Sequence, residues 1–588
     1  MNIMKLALLS LSMLLVSADT SLAVEERPNV IIIMSDDQGV GDYGFMGNQV
    51  IRTPALDAMH ARSGFLSKFY VSPVCAPTRA SLMTGRYNYR TRCVDTYLGR
   101  AMMDPDEVTL AECLRDAGYQ TGIYGKWHMG DNYPMRAMDQ GFQDSLVHRG
   151  GGIGQPSDPI GAEGKYTDPV LFKNGREVPM KGYCTDIYFD AAMEFISSST
   201  EAGDPFFAYI ATNAPHGPFD DVPHKLYEEY RNTDLSSLLV SPLPEKRREE
   251  EFDKLARIAA MITNIDENVA RLFSRLDELD ITKNTIVIYL NDNGPNSMRY
   301  VGDMRGMKTH VDDGGIRSPL LFHWPLKVEP GATSSKLCAH IDVFPTILDA
   351  CNVPIPTSGK IDGRSFLSLL TDEDANWPTR QVVFQAHRGN VPQPLNHFAI
   401  HEDPWKLVHP SGFGNERIKG DAKLELYNLE KDPRQLHDVA AVHPEITNRL
   451  TKAYEAWFAD VSSTREDNFA PPRIVIGTEH ETATVLTRQD WRHASGEAWA
   501  KESNGDWLLN ASDSGKYEFE IILDSDQHPA GTATVAAGNL VDHFEIIAGQ
   551  QRGHRTTLSL PKGDVNLSIE LTLGEKSMGP HQVVVTRL

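Results

Sequence analysis

Four short apolar runs before residue 300 constrain this chain more than any other feature. Asn29-Val30-Ile31-Ile32-Ile33-Met34 ends at Asp36-Asp37, and Thr121–Tyr124 ends at Lys126 and His128. Phe206–Ile210 leads to Asn213 and His216, and Thr285–Leu290 ends at Asp292-Asn293. Continuous β-rich runs without polar alternation fit strands buried on both faces, as in a parallel sheet between two layers of helix. Helical patterns lie between them at Leu110–Ala117, Thr185–Ser197 and about Glu245–Leu279, the last with Leu255, Ile258, Met261, Ile262, Ile265, Val269 and Leu272 at helical spacing. Alternating strands and helices predict an α/β fold. Ligands of such sheets bind beyond the carboxyl ends of the strands, where all the polar residues just named stand.

Two further regions follow the first, which runs over 24–375. Over 376–465, strand-like pieces at Val382–Gln385, Phe398–His401 and Lys406–Val408 precede a helical pattern from Pro444 to Val461, which reads as a small antiparallel subdomain. After Arg465 the chain turns polar and then proline-rich. Alternating segments at Tyr517–Ile522, Ala533–Ala536, Phe544–Ile547 and Val565–Leu573 predict a β-sandwich over 468–588, expected to be separate from the site. Trp491 and Trp507 read as its core, with a sugar-stacking platform as the alternative.

At the other end, Lys5, the apolar stretch Leu6–Val16, and Ser21 and Ala23 at the −3 and −1 positions of a cleavage site read as a signal peptide over 1–23. That predicts an exported protein, periplasmic or extracellular. The stretch is short for a bilayer span, and no other segment is a candidate. A net charge of −23 excludes a broad nucleic-acid footprint and leaves any anionic substrate to local cations. Six cysteines in 588 residues are too few for a disulfide scaffold.

One of those cysteines opens the segment Cys75-Ala76-Pro77-Thr78-Arg79, followed by Thr84-Gly85-Arg86. This resembles the signature of the sulfatase family, the formylglycine-dependent members of the alkaline-phosphatase-like superfamily. Other landmarks follow in the family's order. Asp36-Asp37 and Asn291-Asp292-Asn293-Gly294 resemble its two metal-binding pairs. Gly125-Lys126-Trp127-His128-Met129-Gly130, Pro215-His216-Gly217-Pro218 and Arg305-Gly306-Met307-Lys308 resemble its active-site elements, and Leu426-Tyr427-Asn428-Leu429 with Asp432-Pro433 its closing stretch. The resemblance covers about residues 28–461. It implies an alkaline-phosphatase-like, mainly parallel sheet flanked by helices, one Ca²⁺ held by Asp36, Asp37, residue 75, Asp292 and Asn293, and a formylglycine made from Cys75 by dedicated maturation machinery. It also implies that the hydrated aldehyde attacks sulfur, that His216 and Lys308 serve the leaving alcohol, and that His128 takes the proton that lets sulfate depart.

The residue types fit that chemistry without the family. Asp36, Asp37, Asp292 and Asn293 offer hard oxygen ligands, which favour Ca²⁺ or Mg²⁺ over zinc. Lys126, Lys308 and Arg79 supply fixed positive charge for sulfate oxygens, and His128 and His216 supply proton transfer. Taken singly, each element also has a structural reading: a helix start for Asp36-Asp37, a buried thiol for Cys75, a turn for Asp292-Asn293-Gly294. Their joint occurrence at strand ends favours the catalytic one. His60, His224 and His437 keep structural readings. The glycines of His148-Arg149-Gly150-Gly151-Gly152 allow close backbone approach to a ligand, and His148 and Arg149 are candidate substrate contacts. The expected substrate is a sulfated carbohydrate. A phosphate or phosphonate ester hydrolase of the same superfamily and a catalytically silent carbohydrate-binding protein are the alternatives.

Overall fold

The computed structural model describes residues 27–588 apart from 163, 241–243, 373–374, 411–422, 468, 496 and 498. The expected signal peptide lies outside the described residues. The main sheet is built from β1 (Asn29–Ser35), β2 (Gly64–Tyr70), β3 (Gln120–Lys126), β4 (Asp144–His148), β5 (Val170–Lys173), β6 (Arg176–Pro179), β7 (Phe206–Ala211), β8 (Thr285–Asn291), β9 (Arg317–His323), β10 (Thr333–Ser334) and β11 (Cys338–Ala339). Its order is β10-β2-β9-β8-β1-β7-β3-β4-β5-β6, with β11 also on β2. The five central strands β8, β1, β7, β3 and β4 are mutually parallel, while β9 and β5 flank them in antiparallel pairs.

The apolar runs are buried on both faces, as a sheet between helices requires. Val30, Ile32 and Met34 of β1 join one core with the helices Cys75–Thr84, Leu110–Asp116 and Val343–Ala350. Ile31 and Ile33 join the opposite core with Pro54–Ala61, Cys184–Ala202 and Glu245–Glu278. Leu110–Asp116 shows why one helix begins where it does: the Thr109 hydroxyl accepts from the Glu112 N–H at 3.1 Å, and Glu112 Oε2 accepts from the Thr109 N–H at 2.9 Å.

The next region forms an antiparallel sheet of β12 (Val382–Gln385), β13 (Phe398–Glu402), β14 (Trp405–Val408) and β15 (Glu425–Asn428), covered by the helix Pro444–Ser462. Its core continues into the first region through Tyr70, Tyr87, Tyr89, Ile316 and Ile341. Beyond residue 473 two sheets face each other around Trp491, Trp507, Phe519 and Ile569, antiparallel throughout except where Ile474–Ile476 pairs parallel to Asn504–Ala511. Both tryptophans are fully buried, so neither is a sugar platform. Leu98, Met102 and Met135 of the first region belong to this same apolar cluster. All six cysteines are free thiols. Among the described residues no helix is long and apolar enough to cross a membrane.

Candidate active site

Adjacent parallel strands bring the acids together. Asp36 and Asp37 follow β1, and Asp292 and Asn293 follow its neighbour β8, where the Asp292 N–H donates to the Ser35 carbonyl at 3.0 Å. Asp37 takes a left-handed φ of 61°, and its N–H reaches Asp292 Oδ1 at 3.3 Å. Burial pushes the Asp292 carboxyl up to about 6, with Asp36 adding to the effect. Asp37 goes the other way: burial opposes its charge, but Lys308 and His216 hold it well below the usual carboxylate range.

Cys75 is the first residue of the helix Cys75–Thr84, and Pro77 in its first turn sacrifices no helical hydrogen bond. Its Sγ lies 3.5 Å from Asp36 Oδ1. Burial, then the Asp36 charge, push the thiol far above its ordinary range, so it is no thiolate nucleophile as it stands. One turn along the helix, Arg79 donates from Nη2 to Asp292 Oδ2 at 2.7 Å and from Nη1 to the Lys126 carbonyl at 2.8 Å. Lys126 Nζ bonds Asp36 Oδ2, and Lys308 Nζ sits 2.5 Å from Asp37 Oδ1. Burial opposes the Lys308 charge, but Asp37 holds it protonated.

One ligand atom from each of Asp36, Asp37, Cys75 and Asp292 lies within 4.8 Å of all the others. Asp37 Oδ2 and Asn293 Oδ1 are buried there without a hydrogen-bond partner, while Asn293 Nδ2 is spent on Asp37 Oδ1 at 2.8 Å. Buried acceptors left unpaired are costly, and a cation among hard oxygens relieves that cost. The donor set therefore fits Ca²⁺ or Mg²⁺.

Two histidines border this cluster. His128 follows β3 at a left-handed φ of 60°, and its Nε2 donates to the Thr96 carbonyl at 2.7 Å. Its Nδ1 is buried without a partner, and burial, then Lys126, hold the ring well below its ordinary pKa. His216 donates from Nδ1 to the Gly217 carbonyl at 2.7 Å and places Nε2 at 3.8 Å from Asp37 Oδ2. Burial pulls it down to about 4 against the opposing pull of Asp37.

The glycine loop behaves differently from the reading of its sequence. A Cβ on Gly151 would stand 2.6 Å from Cε1 and Nε2 of His128, and one on Gly152 would stand 3.0 Å from Cε1 of His216. The close approach is to the two histidines. Gly150 N–H donates to both Asp131 oxygens, at 2.8 and 3.0 Å, and Gly151 N–H to Gln155 Oε1 at 3.0 Å, which anchors the loop. Gly151→Ala is expected to displace the pinned His128 ring and lower kcat on the order of tenfold with little change in KM. Steady-state kinetics beside a thermal melt checks this; unchanged kcat would show that the ring has room to spare.

His148, ending β4, is also buried at the cluster. Its Nε2 has no partner, and burial pulls the ring down to about 3, with Lys126 and Arg79 also opposing its charge. Arg149 instead lies over the Phe172 ring, 4.3 Å from its centroid. Sequence reasoning did not reach Thr96, Asp131 or Tyr166, whose hydroxyl donates to the His216 carbonyl at 2.6 Å. Thr96 acts through a backbone carbonyl, which its residue type does not record.

The Sulfatase family model matches residues 28–353, and the model for the N-sulphoglucosamine sulphohydrolase C-terminal region matches 306–458. An N-acetylgalactosamine-6-O-sulfatase of Bacteroides thetaiotaomicron is 27% identical over 512 residues, covering 73% of this chain and 93% of that protein. The crystal structure of Ps i-CgsB in complex with k-i-k-neocarrahexaose superposes with a TM-score of 0.63 at 25% identity, over 75% of this chain and 95% of that one. The phosphonate monoester hydrolase of Agrobacterium radiobacter shares the fold, with a TM-score of 0.52 at 18% identity over 74% and 96% of the two chains. A family match spanning more than half of the chain, over the region that builds this cluster, establishes that the protein belongs to the sulfatase family and is a sulfuric ester hydrolase.

Proposed function

We propose that this chain is an exported enzyme that removes sulfate from a sulfated carbohydrate, with residue 75 as a formylglycine and one Ca²⁺ in the acid cluster. The observation that carries the reading is the convergence of Asp36, Asp37, Cys75 and Asp292 within 4.8 Å. Bound Ca²⁺ supplies charge neutralisation for the sulfate and polarises its sulfur. Hydrated formylglycine supplies one hydroxyl for attack and a second whose deprotonation releases sulfate.

The chain's own residues do the rest. Arg79 is held by Asp292 and the Lys126 carbonyl, and so fixes the start of the helix that presents residue 75. Lys126 and Lys308 place ammonium groups against Asp36 and Asp37, where an incoming sulfate meets fixed positive charge. His216, oriented by the Gly217 carbonyl, serves the leaving oxygen. His128 has its Nε2 proton committed to Thr96, which leaves Nδ1 to take the proton from the second hydroxyl. His148 and Arg149 are proposed on the substrate side, and the three divisions 24–375, 376–465 and 468–588 as units of the chain.

The carbohydrate assignment is supported by the names of the relatives, an N-acetylgalactosamine-6-O-sulfatase and a protein in complex with k-i-k-neocarrahexaose. A panel of defined sulfated mono- and oligosaccharides, run beside paired aryl sulfate and aryl phosphate esters, tests it. Sulfate release from a sugar, with the aryl sulfate preferred over the phosphate, is the expected result. Preference for the phosphate or phosphonate ester would replace the reading.

A further inference from the structure

The C-terminal sandwich reaches the wall of the site. At its rim the turn Thr487–Trp491 lies against the loop 96–99 of the first region. Gln489 brackets that loop twice: its carbonyl accepts from the Gly99 N–H at 2.8 Å, and its Nε2 donates to the Thr96 carbonyl at 2.9 Å. The same Thr96 oxygen accepts from His128 Nε2 at 2.7 Å. One carbonyl therefore joins a residue of the sandwich to a histidine of the cluster.

Both ends of this link are stiff. Gln489 is 4% exposed, and its N–H donates to Thr487 Oγ1 at 3.2 Å. The Thr487 hydroxyl donates to Asp490 Oδ2 at 3.0 Å, and its carbonyl accepts from Trp507 Nε1 at 2.8 Å. Trp507 is fully buried in the sandwich core, with its ring centroid 5.4 Å from that of Trp491. Leu98 packs into that same core beside Met102 and Met135, so the loop is held by apolar contact as well. At the other end, the bond to Thr96 is the hydrogen bond that orients the His128 ring, because Nδ1 has no partner. A carbonyl fixed by two donors holds its direction better than one fixed by one, and the ring follows it.

We propose that Gln489 is a positioning residue for His128, and that the sandwich thereby completes the active site. This rests on the role given to His128 under the proposed function. It also departs from the sequence expectation that residues 468–588 are separate from the site: a chain ending near residue 466 would lose the Gln489 bond and leave Leu98, Met102 and Met135 without their covering core.

The test uses the full chain and the best sulfate ester of the panel above. Gln489→Met keeps the length and volume of the side chain and removes the donor; Gln489→Glu, as a second variant, keeps the shape and sets a carboxylate against the carbonyl. Each is expected to lower kcat by roughly tenfold while KM stays within about twofold, since Gln489 acts through His128 and not on substrate. In a His128→Ala background the same substitutions are expected to change kcat by less than about twofold, because the ring they position is gone. Unchanged kcat in the wild-type background, or an equal fractional loss in both backgrounds, would overturn the positioning role. Wild-type kcat in His128→Ala alone would instead overturn the role of His128, a separate failure visible before Gln489 is touched.

Discussion

Cys75→Ala is expected to abolish turnover, lowering kcat by more than about a thousandfold, while the protein still folds. The physical case has two parts. The cysteine side chain is buried, at 2% exposure, so alanine removes one small group and leaves a minor void. No other side chain can replace it chemically. The acids around it are committed to Lys126, Lys308 and Arg79, and none can carry the two hydroxyls on one carbon that the proposed cycle needs. Circular dichroism and a thermal melt check the fold, and sulfate release checks activity. Retention of more than a few per cent of wild-type turnover in a folded variant would remove residue 75 from the mechanism.

The second large effect concerns the metal. Stripping divalent cations is expected to remove activity, and Ca²⁺ to restore it better than Zn²⁺, because the donors are carboxylate and amide oxygens. Binding also stabilises the fold by mass action: at a concentration one hundred times Kd the gain is about 2.7 kcal/mol, visible as a rise in Tm. Asp37→Asn should weaken that rise and activity together. Both acids also hold a buried cation, Asp37 the Lys308 ammonium and Asp292 the Arg79 guanidinium, so removing either costs roughly 3–5 kcal/mol on that account alone, and a melt of the metal-free variant separates this cost from the lost Ca²⁺ contact. Calorimetric Ca²⁺ binding of wild-type strength in Asp37→Asn would take that residue out of the ligand set.

How much of this was legible in the sequence follows from which interactions are local. Asp36, Lys126, His128 and Asp292 could be found because each stands just past a continuous apolar run, and parallel strands bring such ends to one edge. The edges of the sheet were harder. β2 breaks its apolar run with Ser67-Lys68 and so shows neither a continuous run nor alternation, and β9 carries Pro319, which weakens a strand pattern. β15, read only as a family landmark, pairs antiparallel to β14 as the fourth strand of its sheet. The glycines at 151 and 152 were visible, but what they approach was not, because the two histidine rings arrive from separate loops. Gln489 was beyond reach for the same reason: it meets Thr96 across 393 residues of chain and touches a backbone oxygen.

The central claim, that this sulfatase works through an oxidised residue 75, is tested most directly by the mass of the peptide carrying that residue. The peptide should come from a preparation whose sulfate-ester turnover has been measured. The aldehyde is expected in place of the thiol, in a fraction that rises and falls with specific activity. Full turnover from protein whose residue 75 is unmodified cysteine throughout would contradict the claim.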